Sequence, residues 1–187
     1  MNPTFATILP LASALGYAVA ALILKRATEG GAGPWRIGFV VNLVMALLFQ
    51  VFWFFSKETN PITAMDVLYA AVVGGIFFTG QFFTFLALSK GDVSVTTPVL
   101  GAKVIFVAFF AALILHQPID ASLGIATLMT CVAMAMLGGE WRADREKVLP
   151  SLVYGGLSAL CFATSDILLK HWVGGVGMTR FAPMTFG

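Results

Sequence analysis

Charged side chains are scarce in this sequence. Asp, Glu, Lys and Arg make up 11% of its 187 residues, against about 25% in soluble proteins, while 59% of the residues are hydrophobic and the mean hydropathy is +0.92. A water-soluble fold of this size needs a polar surface and cannot bury so much apolar side chain. The chain is therefore predicted to fold in a lipid bilayer. Its net charge of +2 is too small and too scattered for a nucleic-acid partner.

Cysteine and histidine are equally rare, with two of each. Cys131 and Cys161 fall inside apolar runs, where a thiol acts as a small hydrophobic group, so neither a disulfide framework nor a metal site is predicted. The HExxH, DxxD and DxxxD patterns of metal-dependent chemistry are missing, as is a GxSxG-like serine with a histidine at membrane depth. We therefore expect no enzyme activity, no metal and no cofactor.

Most of the sequence consists of long apolar runs. Each is long enough to cross the hydrocarbon core of a bilayer, which is about 30 Å thick. They are Phe5–Leu24, Trp35–Phe55, Val67–Leu88, Val93–Leu115, Ile119–Leu137 and Ser151–Leu169, with an incomplete seventh from about Thr179. The first run lacks a basic start and is followed by Lys25 and Arg26, which indicates a retained helix rather than a signal peptide. The predicted fold class is all-α, a polytopic bundle of transmembrane helices.

Small residues recur at four-residue spacing in three of the runs. Such stripes let helix backbones approach closely in lipid, where no hydrophobic effect drives association. Ala and Gly are also simply common in membrane helices, and this remains the alternative for any single stripe. The stripes are Ala12/Gly16/Ala20, Ala71/Gly75/Thr79 and Gly155/Ala159/Ala163. Together they favour a compact bundle.

An internal repeat divides the chain into unequal parts. A shift of 145 positions aligns residues 13–25 with residues 158–170, with six of thirteen pairs identical, and Arg36 is matched within one residue by Arg180. The copies are offset by five helices, an odd number, so the second crosses the membrane in the opposite direction, as in many transporters. The predicted domains are a complete five-helix half (residues 1–138), a polar linker (139–150) and the start of an inverted second half (151–187).

The passage from the third run into the fourth, residues 86–100, reads LALSKGDVSVTTPVL. It resembles the drug/metabolite transporter superfamily, in particular EamA-type members, in which an "AL…GDVS…TP" turn opens the fourth helix. Lys25 and Arg36 are similar to that family as well. The resemblance implies ten helices in two inverted halves and a secondary transporter or exporter of small metabolites. Because the second half stops inside its second helix, we expect a fragment that transports only if a second polypeptide or a second copy supplies the missing helices.

Lys103 lies near the middle of the fourth run, about 15 Å of helix from either end. A lysine cannot reach the membrane surface over that distance, and a charge at the centre costs about 2.5–3.5 kcal/mol. It is interpreted as a cationic contact for an anionic or zwitterionic substrate, or as a proton relay. The alternative is a lysine paired with a backbone carbonyl or a structural acid.

Further polar groups in the runs are candidates for the substrate pathway. Pro98 removes a backbone hydrogen bond, and with Thr97 and Gly101 it predicts a region of exposed backbone, unless Pro98 belongs to the first turn of its helix. Gln81 and Asn42 either bridge helices or line the pathway.

Asp166 is the one further candidate, and two interpretations of it stay open. It forms a surface ion pair with Lys170 if the sixth helix ends near Lys170. It becomes a coupling carboxylate if the helix continues toward Val176.

These observations favour a multi-pass transporter in the cell membrane that exposes its substrate alternately to the two sides. The partners expected are the lipid bilayer and a small molecule. A structural or partner-binding membrane subunit is the alternative function. The sequence leaves substrate identity, coupling ion, transport direction and membrane orientation open.

Overall fold

The computed structural model describes residues 3–57, 60–116, 121–137 and 145–187. Within these residues the chain forms eight α-helices, one 3₁₀ turn and no strand. The helices are α1 (Pro3–Glu29), α2 (Pro34–Phe54), α3 (Ala64–Lys90), α4 (Val93–Gly101), α5 (Lys103–Ile114), α6 (Ala121–Leu137), α7 (Arg145–Trp172) and α8 (Met178–Phe186), with the 3₁₀ turn at Val173–Gly175 between α7 and α8.

Five segments of the described chain are long and apolar enough to cross a membrane. They are Leu11–Glu29, Trp35–Phe54, Ala64–Lys90, Val93–Ile114 and Glu146–Gly175. The prediction of an all-α, polytopic helix bundle is therefore confirmed. The fifth predicted run begins outside the described residues, and α6 forms its described part.

Helix starts follow local side-chain chemistry. Thr63 and Asp66 form a capping box at the start of α3, in which the Asp66 carboxylate accepts from the Thr63 backbone N–H at 2.8 Å. Asp92 caps α4 by accepting from the Ser94 N–H at 2.9 Å. Each cap satisfies a backbone donor that has no partner inside its own helix. The Asp92 side chain thereby fixes the short turn between α3 and α4.

The fourth apolar run, where Pro98 predicts a region of exposed backbone, is interrupted in the structure. It breaks at Ala102 into α4 and α5. Pro98 has no N–H to donate to the carbonyl four residues earlier, and its ring crowds that carbonyl. The Ala102 N–H then bonds to the Val99 carbonyl at 3.0 Å, one residue closer than in a regular α-helix. The break lies one turn after the proline, in the middle of the span.

α7 is the central helix of the bundle. Its most extensive contacts are with α3, and it also packs on α4 and α5. Ala159 and Ala163 are fully buried, and a Cβ added to Gly155 would meet the Val99 side chain of α4 at 3.0 Å. The predicted small-residue stripe of α7 is thus a packing face, and it lets α7 approach its neighbours closely.

Hydroxyl groups bridge α3 and α7 along this contact. Ser158 Oγ donates to the Gly80 carbonyl at 2.9 Å and lies 2.7 Å from Thr84 Oγ1. Ser151 Oγ accepts from the Asp92 N–H at 2.7 Å. In a bilayer such bonds contribute because no water competes for the groups.

The other two small-residue stripes do not pack in the described residues. Ala71, Gly75 and Thr79 are exposed on α3, so their prediction as a packing face is wrong. A neighbouring face of α3 is buried instead. Ala70 and Val73, which lie on it, are fully buried. The stripe of α1 is exposed as well.

α8 joins the bundle through α2 and α3. Its Phe181 is fully buried and forms a core cluster with Ala70 and Val73. Arg180, near the start of α8, donates to the Asn60 carbonyl at 2.7 Å and to Ser56 Oγ at 3.1 Å. The connection between α2 and α3 therefore holds the start of α8.

Candidate substrate site

An ion pair lies beside the break in the fourth span. Lys103 is the first residue of α5, directly after the break. Its Nζ lies 2.6 Å from Asp166 Oδ2 of α7, with the two side chains 36% and 46% exposed. Two of the residues selected from the sequence are thus brought together by the packing of α7 on α5. The sequence offered Lys170 as a partner of Asp166, and the ion pair that the structure shows for Asp166 is the one with Lys103.

Asp166 lies well inside its span. α7 continues to Trp172, and the 3₁₀ turn carries the chain on to Gly175. Nine further residues of helix place Asp166 about 13 Å from that end. The chain thus stays helical past Lys170 as far as Gly175. This is the second of the two interpretations of Asp166 that the sequence left open.

An aromatic ring completes the surroundings of Lys103. The Nζ lies 5.6 Å from the ring centroid of Phe162, which is one helical turn before Asp166 on α7. A cation over the face of an aromatic ring is attracted by its quadrupole, more strongly where water is excluded. The sequence analysis did not single out Phe162 for this contact. The i, i+4 spacing of Phe162 and Asp166 is the signal that could have identified it.

Phe162 also begins a chain of ring contacts through the bundle. Its ring meets Phe77 of α3 edge-on at 5.2 Å, and Phe77 meets Phe186 of α8 at 4.8 Å. Phe186 in turn lies 4.8 Å from Phe49 of α2. The surroundings of Lys103 are therefore connected to α2 and α8 by packed aromatic side chains.

The other predicted residues of the fourth span lie on the helix before the ion pair. Pro98 is the sixth residue of α4 and so does not belong to its first turn. Gly101 is the last residue of α4 and directly precedes the break. Thr97 is exposed, and its hydroxyl donates to the Val93 carbonyl of its own helix at 2.9 Å. Pro98 and Gly101 therefore shape the break, while the Thr97 hydroxyl is engaged within α4.

Asn42 and Gln81 form a second polar group, between α2 and α3. Asn42 Nδ2 donates to Gln81 Oε1 at 2.7 Å and to the Gly38 carbonyl at 2.7 Å. Gln81 is buried, and its Nε2 lies 3.5 Å from the Met45 sulfur. These side chains bridge helices, which was one of the two interpretations made from the sequence.

Asn42 also lines a cavity of about 270 Å³ between α2 and α3. The remaining lining is almost entirely aromatic: Trp35, Phe39, Phe78, Phe82 and Phe85, with Gly38 at one side. Trp35 and Phe82 are in ring contact at 4.7 Å. The predicted site residues therefore separate into two groups, one at the α5–α7 contact and one at this cavity.

In the described residues no three His, Cys, Asp or Glu side chains come together as metal ligands would. The chemistry that the α5–α7 contact can perform is the binding of charge. A lysine ammonium has three N–H donors and can hold a carboxylate or a similar anion. At the adjacent break the Ala102 N–H bonds to the Val99 carbonyl at 3.0 Å, which replaces the regular helical hydrogen bond.

Comparison with known proteins agrees with a bundle of apolar membrane helices. The family model described as the EamA-like transporter family matches residues 4–139, which is more than half of the chain. No curated protein and no solved structure gives a significant match. The chain belongs to the EamA-like transporter family.

Proposed function

We propose that this protein is a secondary transporter of small metabolites in the cell membrane, and that its substrate contacts Lys103. The observation that carries the proposal is the ion pair between Lys103 and Asp166 beside a broken membrane helix. Family membership supports the general class, a membrane transporter. The substrate site and the mechanism are the further steps of the proposal.

The energetic cost of Lys103 supports a functional role. A charged residue at the centre of a membrane span costs about 2.5–3.5 kcal/mol on insertion scales, and such residues usually face a partner or a water-filled cavity. The Lys103 and Asp166 side chains are 36% and 46% exposed, and ion pairs with that exposure add little to stability. Packing alone therefore gives little reason for a sequence to keep Lys103 and Asp166 in the membrane.

The broken helix supports the same position for the substrate. Secondary transporters commonly bind substrate near the bilayer midplane, where interrupted helices expose backbone groups. In this chain the break at Ala102 directly precedes Lys103, about halfway along the span Val93–Ile114. A substrate at this place would contact the Lys103 ammonium group beside the interruption of the helix.

Alternating access is proposed between two inverted parts of the chain, residues 1–138 and 151–187, joined by residues 139–150, of which 145–150 belong to α7. The turn from α1 to α2 and the turn from α7 to α8 each contain a glycine with positive φ, Gly31 at 83° and Gly177 at 84°. This likeness supports the repeat that the 145-residue shift predicts. In the proposal, movement of α7 and α8 against the first half opens the Lys103 site to one side at a time.

A comparison of metabolite content tests the function even while the substrate is unidentified. Cells expressing the chain, its Lys103→Met variant or its Lys57→Met variant are compared with cells carrying an empty vector, by mass spectrometry of medium and cytoplasm. Lys57 is exposed and lies outside the helices, so it is the matched control for loss of a lysine.

At an expression level that lets two copies of the chain associate, we expect one group of metabolites to change in cells with the original chain and with Lys57→Met. Lys103→Met should return their levels to those of the empty vector, at equal amounts of protein in the membrane. If Lys103→Met acts like the original chain, Lys103 is not the substrate contact. If none of the three differs from the empty vector, the alternative of a structural membrane subunit gains support.

A further inference from the structure

The aromatic cavity between α2 and α3 has a closed side and an open side. Gly38 and Phe85, which line it, are buried, and a Cβ added to Gly38 would meet the Phe85 ring at 3.3 Å. Trp35 and Phe39 line it as well, and they are 67% and 68% exposed. The cavity therefore has a packed floor and opens past Trp35 and Phe39 toward the lipid.

The cavity extends from the membrane surface into the hydrocarbon. Trp35 is the second residue of α2, and tryptophan is enriched at the interface between membrane and water. Asn42 lies seven residues further along α2, which is about 10 Å of helix. Aromatic molecules with one polar end favour this interfacial layer, because the ring stays apolar while the polar end stays wet. A ligand of that kind would reach the cavity from the bilayer.

Asn42 supplies a hydrogen-bond acceptor in the wall of the cavity. Its Nδ2 donates to the Gly38 carbonyl and to Gln81 Oε1, each at 2.7 Å. The Gly38 carbonyl can only accept, so the amide nitrogen of Asn42 must face it, and both N–H groups of that nitrogen are engaged.

The amide oxygen of Asn42 is the group left over. Asn42 Oδ1 accepts no hydrogen bond from the described residues. Every side-chain nitrogen or oxygen that is sealed inside the described part of the chain has a partner, so Asn42 Oδ1 is an accessible atom. An amide oxygen without a donor is costly in hydrocarbon, because no water is there to supply one. An occupant with an N–H or O–H group would remove this cost.

The walls favour an aromatic occupant over a lipid acyl chain. Five aromatic side chains line the cavity, and offset or edge-on contacts between rings add to the gain from burying apolar surface. An acyl chain makes no such ring contact and has no donor for Asn42. The volume of about 270 Å³ lies just below the range of about 300–1,000 Å³ for pockets that hold drug-sized molecules, so the occupant is a molecule of one or two rings.

We propose that this cavity is a binding site for a small aromatic molecule with one N–H or O–H donor, of which indole and phenol are the simplest examples. The rings of the cavity hold the apolar part of the ligand, and its donor bonds to Asn42 Oδ1. The site lies between α2 and α3, whereas Lys103 lies at the contact of α5 with α7. It is therefore a second site, and it does not depend on the substrate contact proposed above.

Displacement of 5-fluoroindole, followed by fluorine NMR, tests the site. The purified chain in nanodiscs of palmitoyl-oleoyl phosphatidylcholine is compared with empty nanodiscs, which measure the partition of the probe into lipid. Indole and benzofuran are competitors of nearly the same shape, and benzofuran has a ring oxygen in place of the indole N–H. Asn42→Leu removes the acceptor and Phe82→Leu removes one ring. Phe54→Leu, at an exposed position at the end of α2, is the matched control.

We expect indole to displace the probe from the original chain and from Phe54→Leu at concentrations about three- to tenfold lower than benzofuran. In Asn42→Leu the two competitors should be equally effective, because neither finds an acceptor. Phe82→Leu should weaken both by about two- to tenfold and keep the preference for indole. The preference in the original chain and the effect of Phe82→Leu test the site even if Asn42→Leu does not fold.

Three results would overturn the proposal. Equal displacement by indole and benzofuran from the original chain would rule out the hydrogen bond to Asn42 and with it the ligand class. Binding that is unchanged in Phe82→Leu would place the ligand outside this cavity. Binding no stronger than that of empty nanodiscs would mean that lipid chains or a helix of a second copy fill the cavity. None of these results concerns Lys103, so failure of this proposal is distinguishable from failure of the proposed function.

Discussion

Two adjacent glycines of α3 face different surroundings, and replacing each with alanine separates packing from backbone effects. A Cβ on Gly74 would lie far inside contact distance of the backbone carbonyl oxygen of Thr185 in α8, whereas a Cβ on Gly75 would have no atom within 4 Å. A backbone oxygen cannot rotate away as a flexible side chain can. Gly74→Ala must therefore push α8 away from α3.

The size of the effect follows from two opposing contributions. Replacing glycine with alanine inside a helix stabilises it by about 0.5–1 kcal/mol, and this gain is the same at both positions. Inserting a methyl group into a tightly packed contact costs about 1–3 kcal/mol. We expect Gly75→Ala to raise the free energy of unfolding by about 0.5–1 kcal/mol, and Gly74→Ala to be about 1–3 kcal/mol less stable than Gly75→Ala.

Reversible unfolding of the chain in mixed micelles by sodium dodecyl sulfate measures this difference. Tryptophan fluorescence is a suitable signal, because Trp172 stacks on Tyr69 at 4.4 Å beside the buried Phe181. The difference between the two variants depends on packing alone, since the backbone contribution cancels. Equal stability of the two alanine variants would refute the close contact of α8 with α3.

Two further predictions concern contacts between the helices. In the same unfolding assay, Gly155→Ala should be less stable than Gly156→Ala by about 1–2 kcal/mol. The reason is that a Cβ on Gly155 meets Val99 at 3.0 Å, whereas a Cβ on Gly156 meets no atom within 4 Å. The reverse order of stability would contradict the packing of α7 on α4. A double-mutant cycle of Asn42→Leu and Gln81→Met should yield a coupling of about 0.5–1.5 kcal/mol, and a coupling of zero would mean that their hydrogen bond does not form.

The spans were predictable because the length of an apolar run is a local property of the sequence. Lys103 and Asp166 were also identifiable singly, since a charge in an apolar run is costly wherever the helix packs. Their pairing was not, because it depends on α7 packing against α5, a contact between residues 63 positions apart. The ion pair between Lys103 and Asp166 therefore depends on the tertiary structure.

Spacing alone also failed to select the packing face of α3. Two parallel stripes of small residues run along that helix, one through Ala70 and Gly74 and the other through Ala71 and Gly75. Both satisfy the four-residue spacing, and only the first faces α8. The choice between them is made by the neighbouring helix. The break at Ala102 did have a local signal in Pro98, and its exact place followed from the hydrogen bonding after the proline.

The central claim is that water and substrate reach Lys103 in the middle of the membrane. Cysteine labelling tests it most directly: Lys103→Cys is made in a Cys131→Ser, Cys161→Ser background and treated in membranes with a charged, water-soluble methanethiosulfonate reagent. Phe109→Cys on the same helix, at an exposed apolar position, is the lipid-facing control. We expect Lys103→Cys to react at least about tenfold faster, because only a thiol in contact with water ionises and meets the reagent. Equal or negligible labelling at both positions would contradict the claim.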